Sequence, residues 1–392
     1  MILLEAVTAV SLMVSNPDFA HKSASYYESD DHEFELSDDK NFIILLLDCF
    51  DATYYQEAVS DELTAKLDGF TFYPDTMSMY GHTTCSISQM LSGAPFTNQT
   101  PYREYEEKEF EAGPLLKRLN SEDWNIGLYS EYVFPRVDAL DNTDNLKIYE
   151  SKITSKSKFY KTIYRVVGYN IVPYHFKQLL WFYPNLVDMK DSPVDMKYSA
   201  YLGENERFYV GMDDFKICNS TPTFKFYHVD GMHTPYMTDA DVSQQEEETS
   251  FEEAREANYK IIDKFIDELK QMGVYDNTAI MIAADHGGMD NLNGYKQNPL
   301  FMVKGFNENH EYKVSDTALS YVDLPKIYDA MLDGKTGEDV MAFSSDYEND
   351  RERLFYVYGF DYMDQMEEYG TRGKAWENEG FYYIKDVHAK GK

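Results

Sequence analysis

Three strand-like stretches of the chain each end on residues that carry chemistry. Phe42 to Leu47 (FIILLL) stops at Asp48. Thr223 to Val229 (TFKFYHV) leads into Asp230 and His233, and Ala279 to Ala284 (AIMIAA) leads into Asp285-His286-Gly287-Gly288. A continuous apolar run, rather than an alternating one, is the pattern of a strand buried on both faces of a parallel sheet. In open α/β sheets ligands bind beyond the carboxyl ends of the strands, where these acidic and imidazole groups fall. A helix is predicted ahead of the third strand. Ser250 and Glu253 fit a capping box, and Ala254, Ala257, Ile261, Ile262, Phe265, Ile266 and Leu269 keep a helical stripe. Gly273 then falls where helices commonly end. With Ile126 to Ser130 as a further strand, the alternation predicts an α/β fold: a mostly parallel central sheet flanked by helices. Leu354 to Val357 and Gly380 to Ile384 read as antiparallel strands of a small C-terminal subdomain, residues 346–392.

The start of the chain breaks this pattern. Residues 1–17 are apolar up to Asn16-Pro17, too short a run for the roughly 20 residues of a membrane crossing. They also lack the basic start of a signal peptide. The segment is read as the remnant of a transmembrane helix, with a helix packed on the domain as the alternative. Residues 18–41 are acidic and read as a linker. The catalytic domain is then expected over residues 42–345.

With 392 residues the chain is long enough for a sizeable core. Its formal net charge of −33 excludes a nucleic-acid partner, because phosphate backbones are bound through Lys and Arg. Cys49, Cys85 and Cys218 form no paired motif, so neither a disulfide framework nor a cysteine-zinc site is expected. One segment departs from the acidity. Between Ser151 and Lys190, seven Lys and Arg face Asp188 alone, interleaved with aromatics such as Tyr160, Tyr164 and Trp181. Basic and aromatic residues together suit a bilayer interface, so residues 151–215 are read as an insertion facing a membrane surface.

Asp285 and His286, side by side at a strand end, are expected to reach one divalent ion. Asp48, directly after six buried apolar residues, has no packing reason to be there and is expected to join them. Thr83, in Tyr80-Gly81-His82-Thr83-Thr84-Cys85-Ser86, precedes a helix from about Ile87. A hydroxyl at a helix N-terminus sits beside free N–H groups that favour an anionic ester.

Taken together, Asp48, Thr83-Thr84-Cys85-Ser86 with Leu91-Ser92-Gly93, His233-Thr234-Pro235-Tyr236 and Asp285-His286-Gly287 resemble the sulfatase branch of the alkaline phosphatase superfamily. The resemblance covers roughly residues 40 to 335, including Tyr321-Val322-Asp323-Leu324-Pro325. It is nearest to membrane-anchored phosphoalcohol transferases of the lipoteichoic acid synthase and phosphoethanolamine transferase type. It implies Thr83 as nucleophile, standing ten positions before Gly93, and Asp48, Thr83, Asp285 and His286 on the metal. It also implies His233 as the residue that contacts substrate or protonates the leaving group. The cofactor implied is one divalent metal ion, Mn2+ or Zn2+ ahead of Mg2+ or Ca2+. Asp230 and His233 lack a third ligand for a second ion.

True sulfatases carry Cys-x-Pro-x-Arg; this chain has neither that Pro nor that Arg after Cys85. Relatives of the transferase type usually have Glu where Asp48 stands, and Lys296 is the nearest candidate for their basic residue before the next strand. The function implied is transfer of a phosphoalcohol group from a lipid donor to a cell-surface glycan or lipid through a phospho-threonine. The alternatives are a phosphodiesterase or sulfuric ester hydrolase of the same superfamily, or a non-catalytic glycan-binding ectodomain. The partners implied are a lipid-linked or glycan substrate and a membrane surface, at the cell membrane with the catalytic domain extracytoplasmic.

Overall fold

The computed structural model describes residues 25–102, 105, 113–132, 143–149, 153–180, 203–288, 297–335, 351–358 and 365–388. Residues 1–17, read as a membrane-helix remnant, lie outside them, as does Lys296. Among the described residues no helix is long and apolar enough to cross a membrane. The chain divides into two units, residues 1–29 with 146–200 and residues 30–145 with 201–392.

The larger unit is built on the apolar runs. β1 (Asn41–Leu47), β2 (Thr71–Phe72), β3 (Asn125–Tyr129), β4 (Thr223–Val229), β5 (Thr278–Ala283), β6 (Phe301–Lys304) and β7 (Lys313–Val314) form one sheet in the order β7-β2-β6-β5-β1-β4-β3. The pairings make six strands run one way, with β6 alone reversed. Every residue of β1, β4 and β5 is buried, which is why their sequences do not alternate. The α/β reading with a mostly parallel sheet therefore holds.

Register decides which side chains share a face. Leu46 pairs with Ala283 on one side and His228 on the other. Ile43, Leu45, Leu47, Tyr227, Ile280 and Ile282 point to the opposite face and pack with α5 (Phe251–Gln271). The Ser250–Glu253 capping box is formed as predicted. Fully buried Ile, Leu and Phe side chains contribute about 1.5–3 kcal/mol each, so packing more than intrinsic propensity holds this helix. The other face meets α6 (Leu324–Leu332), whose Tyr328 ring lies 6.0 Å from that of Phe42. Helices thus cover both faces of the sheet.

Two boundaries differ from the sequence reading. Asp30 to Lys40, expected as linker, is part of this body: Glu35–Ser37 pairs in parallel with Lys216–Asn219, and buried Glu33 is gripped by Arg207 at 2.6 Å. Residues 203–215, expected within the basic insertion, also belong here, because Phe208 and Met212 pack into the core. An acidic or mixed composition is compatible with burial where each carboxylate finds a cation.

β8 (Arg353–Tyr358), β9 (Gln365–Thr371) and β10 (Phe381–His388) make an antiparallel sheet. The two strands read from sequence fall inside β8 and β10, with β9 between them. Tyr356 N–H donates to the Met79 carbonyl at 2.8 Å, and Met77, Phe355 and Ala375 share a small apolar cluster. In the smaller unit, Ser25–Glu28 pairs antiparallel with Leu146–Tyr149, and Lys156–Ile171 is a helix capped by Ser155.

Candidate metal and catalytic site

Because β1, β4 and β5 are parallel and in register, their carboxyl ends deliver side chains to one place. Asp48 follows β1 and Asp285 follows β5. The alternation that turns His228 of β4 and Ala283 of β5 to one face carries both aspartates to it. α2 (Thr83–Ser92) begins beside them, nine of its ten residues buried. Thr83 is its first residue, and Gly93 ends it in the left-handed region at φ 73°.

The Thr83 hydroxyl donates to Asp48 Oδ2 at 3.3 Å, while the neighbouring Thr84 is partly exposed. His228 Nε2 lies 3.3 Å from the same oxygen. His286 Nε2 lies 3.4 Å from Asp285 Oδ2 and 3.9 Å from Asp48 Oδ1. His286 Nδ1 is 2.8 Å from the Gly287 carbonyl, which only accepts, so Nδ1 carries a proton and Nε2 faces the carboxylates. That is how a metal-binding imidazole is oriented. The backbone under Asp285 is pinned from two sides. Ser86 Oγ donates to the Asp285 carbonyl at 2.5 Å, and the Tyr321 hydroxyl donates to the Ala284 carbonyl. Beyond Asp48, Gly231 sits at φ 58°, and a Cβ there would come within 2.5 Å of the Asp48 backbone nitrogen and oxygen. The turn after β4 therefore lies directly on Asp48, with Met232 N–H donating to the Asp48 carbonyl at 2.7 Å.

The electrostatics call for a cation. Burial works against a charge on Asp48, yet the His228 hydrogen bond and the charges of His228, His286 and His233 hold its carboxyl well below the usual range. Burial and the facing Asp48 carboxylate push Asp285 up. Burial opposes charge on His228 and His286, but the carboxylates outweigh it and raise both. Two like-charged buried carboxylates drawing protons onto two imidazoles is what this mix of burial and charge produces. Moreover, Asp48 Oδ1 and Asp285 Oδ2 are buried without a hydrogen-bond partner. Tetrahedral coordination at ordinary Zn–N and Zn–O lengths sets such donors about 3.3 Å apart. The observed 3.4 Å and 3.9 Å from His286 Nε2 fit one divalent ion with small adjustment.

Of the residues singled out in the sequence, Asp48, Thr83, Asp285 and His286 are brought together. His233 stands apart from them: it is exposed on the turn after β4, lining a cleft of about 350 Å³ with Asp230, Asn205, Tyr236 and Gln244. Two residues were missed. His228, between Asp48 and Ser130 Oγ at 3.0 Å, was hidden inside the apolar run of β4. Its signal was parity: β1 and β4 are equally long, so His228 falls on the face of Leu46 and Asp48. Cys49 corrects the expectation that no cysteine belongs near a metal. Its Sγ lies 3.7 Å from His286 Nδ1, and donor atoms of Asp48, Cys49 and His286 all lie within 4.8 Å of one another. Burial, Asp48 and Asp285 push its thiol pKa up.

The family model described as Sulfatase matches residues 40–325. No curated protein matches the chain. Among solved structures, Ps i-CgsB in complex with k-i-k-neocarrahexaose is 14% identical, with 85% of this chain and 82% of that chain covered and a TM-score of 0.50. A protein in the alkaline phosphatase superfamily from Vibrio parahaemolyticus is 10% identical, covering 92% and 85%, with a TM-score of 0.48. The phosphonate monoester hydrolase SpPMH from Silicibacter pomeroyi is 14% identical, covering 91% and 90%, with a TM-score of 0.45.

Proposed function

The chain belongs to the sulfatase family, a family of enzymes, and from that premise we propose that it acts on phosphoesters: it passes a phosphoalcohol group from a lipid-linked donor, through Thr83, to an alcohol on a cell-surface glycan or lipid. The observation that carries this reading is the Thr83 hydroxyl, first in a buried helix and hydrogen-bonded to Asp48 beside two unpartnered carboxylate oxygens. Cys85 is fully buried beside Tyr80 and Tyr358, and neither the Pro nor the Arg of Cys-x-Pro-x-Arg follows it.

Asp48, Asp285 and His286, with Thr83, would hold one divalent ion, Mn2+ or Zn2+, which when bound supplies charge to the phosphoryl oxygens and lowers the hydroxyl pKa. Thr83 Oγ, held by its hydrogen bond to Asp48 Oδ2, passes its proton to solvent and attacks phosphorus. The bond from phosphorus to the departing alcohol breaks, and His233 donates the proton that alcohol requires. An acceptor alcohol then attacks the phospho-threonine and passes its proton to His233, while the bond from phosphorus to Thr83 Oγ breaks and Oγ takes back a proton from solvent.

The lipid side of the reading rests on the smaller unit. On and after its helix Lys156–Ile171, Tyr160, Tyr164, Ile171 and Tyr174 stand exposed among Lys156, Lys158, Lys161 and Arg165, a composition suited to an anionic bilayer. The site of action that follows is the outer face of the cell membrane.

The test is mass spectrometry of the protein after incubation with phospholipid vesicles and Mn2+ or Zn2+. A phospho-adduct on the Thr83 peptide is expected. Thr83→Ala should lose the adduct and at least about a thousandfold in turnover, with its melting temperature unchanged. Undiminished activity in that variant, or aryl sulfate cleaved faster than any phosphoester, would overturn the reading.

A further inference from the structure

We propose that the Cys49 thiol joins Asp48, Thr83, Asp285 and His286 as a ligand of the metal ion, making a mixed oxygen, nitrogen and sulfur site that prefers Zn2+ to Mn2+. The proposal rests on the metal-dependent reading above and sharpens it. Three observations support it. Cys49 Sγ lies 3.8 Å from His286 Nε2, the nitrogen that faces the carboxylates. A sulfur at about 2.3 Å and an imidazole nitrogen at about 2.0 Å from one tetrahedral zinc stand about 3.6 Å apart.

Second, the unpartnered oxygens Asp48 Oδ1 and Asp285 Oδ2 belong to carboxylates that are 4% and 0% exposed, so the sulfur shares an enclosed space with donors already lacking partners. Third, Cys49 sits at φ 58°, a left-handed conformation that a residue with a Cβ adopts at a cost. Its N–H donates to Asp285 Oδ1 at 3.2 Å, which ties the strained residue to the opposite carboxylate and turns its side chain towards His286.

Thiolate is a soft ligand that selects zinc, whereas carboxylate and hydroxyl oxygens also suit manganese and magnesium. On binding, the thiol gives up its proton to solvent and its sulfur lone pair to the ion, so charge and atoms balance without a redox partner.

Co2+ is the probe, because a thiolate bound to it gives a sulfur-to-metal charge-transfer band that oxygen and nitrogen ligands do not. The protein is used in a Cys218→Ser background, which removes the exposed thiol. The expected result is that band at one equivalent of Co2+, lost in Cys49→Ser while Co2+ still binds. In the same variant Zn2+ affinity, read by chelator competition, should fall at least about tenfold, since even groups that only orient ligands are worth that much. Mn2+ affinity should change little. The wild-type spectrum alone decides the matter if the variant fails to fold. Co2+ bound without the band would overturn the thiolate ligand and leave the metal reading standing. Failure of Co2+, Zn2+ and Mn2+ all to bind would overturn both.

Discussion

His228 Nε2 and the Thr83 hydroxyl meet the same oxygen of Asp48, and the other nitrogen of His228 is held by Ser130 Oγ at 3.0 Å. This arrangement fixes the carboxylate rotamer: Oδ2 is shared by Thr83 and His228, which leaves Oδ1 for a cation. His228 is therefore a positioning residue, and His228→Gln should weaken metal binding about 10–100-fold, the usual loss when an orienting partner is removed. Calorimetric titration with Zn2+ measures this, and unchanged affinity would remove His228 from the site. Thr83, by contrast, was singled out by the resemblance to the sulfatase branch, with its place at a helix start as the local sign; read alone, a hydroxyl there is as readily a helix cap. His228 was not, since one polar residue in an apolar strand looks like any satisfied core histidine until the pairing register is known. Cys49 was illegible for a related reason: its importance lies in a left-handed φ that no composition reveals.

At the scale of elements, the central sheet buries two lysines that the strand pattern tolerates but does not favour. Lys225 of β4 donates to the His32 carbonyl at 2.7 Å and the Tyr129 hydroxyl at 3.2 Å, and burial pushes its pKa down to about 8. Lys304 of β6 is likewise pushed down to about 8 by burial. A lysine with a lower pKa folded than unfolded penalises the fold while it is charged. The penalty is full below about pH 8 and fades as pH climbs towards the unfolded value near 10.4. Stability due to Lys225 thus rises across that window. Urea midpoints of wild type and Lys225→Met at pH 7 to 10 should converge as pH increases, the variant keeping only the smaller rise due to Lys304. Parallel curves would show that Lys225 carries no penalty. The strands themselves were readable because burial on both faces forces unbroken apolar runs. β2 and β7, two residues each, were not, since β2 is placed by pairing with β6, and β7 by pairing with β2, not by any local pattern.

Across the whole larger unit, a buried ion pair joins the C-terminal sheet to the catalytic body. Arg353 of β8 lies 2.8 Å from Asp75 Oδ1, both nearly inaccessible, and Asp75 Oδ1 also accepts from the Ala375 N–H at 2.8 Å. Removing Arg353 leaves buried Asp75 with only the partly exposed Lys374, 3.2 Å from its Oδ2, so Arg353→Ala should cost about 3 kcal/mol in denaturant unfolding, the low end for a broken buried pair. A cost below about 1 kcal/mol would mean the sheet is held by its apolar cluster instead. The C-terminal strands were visible in sequence; this anchor was not, because nearly three hundred positions separate its partners.

The turn carrying Gly231 gives the site one more property. Since that glycine rests against the backbone of Asp48 with no room for a single added carbon, the loop that presents His233 and the loop that presents Asp48 move as one piece. A substrate pressing on the first is felt at the second. His233 and Asp48 therefore keep a constant spacing whatever group occupies the cleft. Under the proposed reaction, the choice of acceptor is then expected to lie with the cleft wall formed by Tyr236 and Gln244, whose side chains take no part in the contact between Gly231 and Asp48.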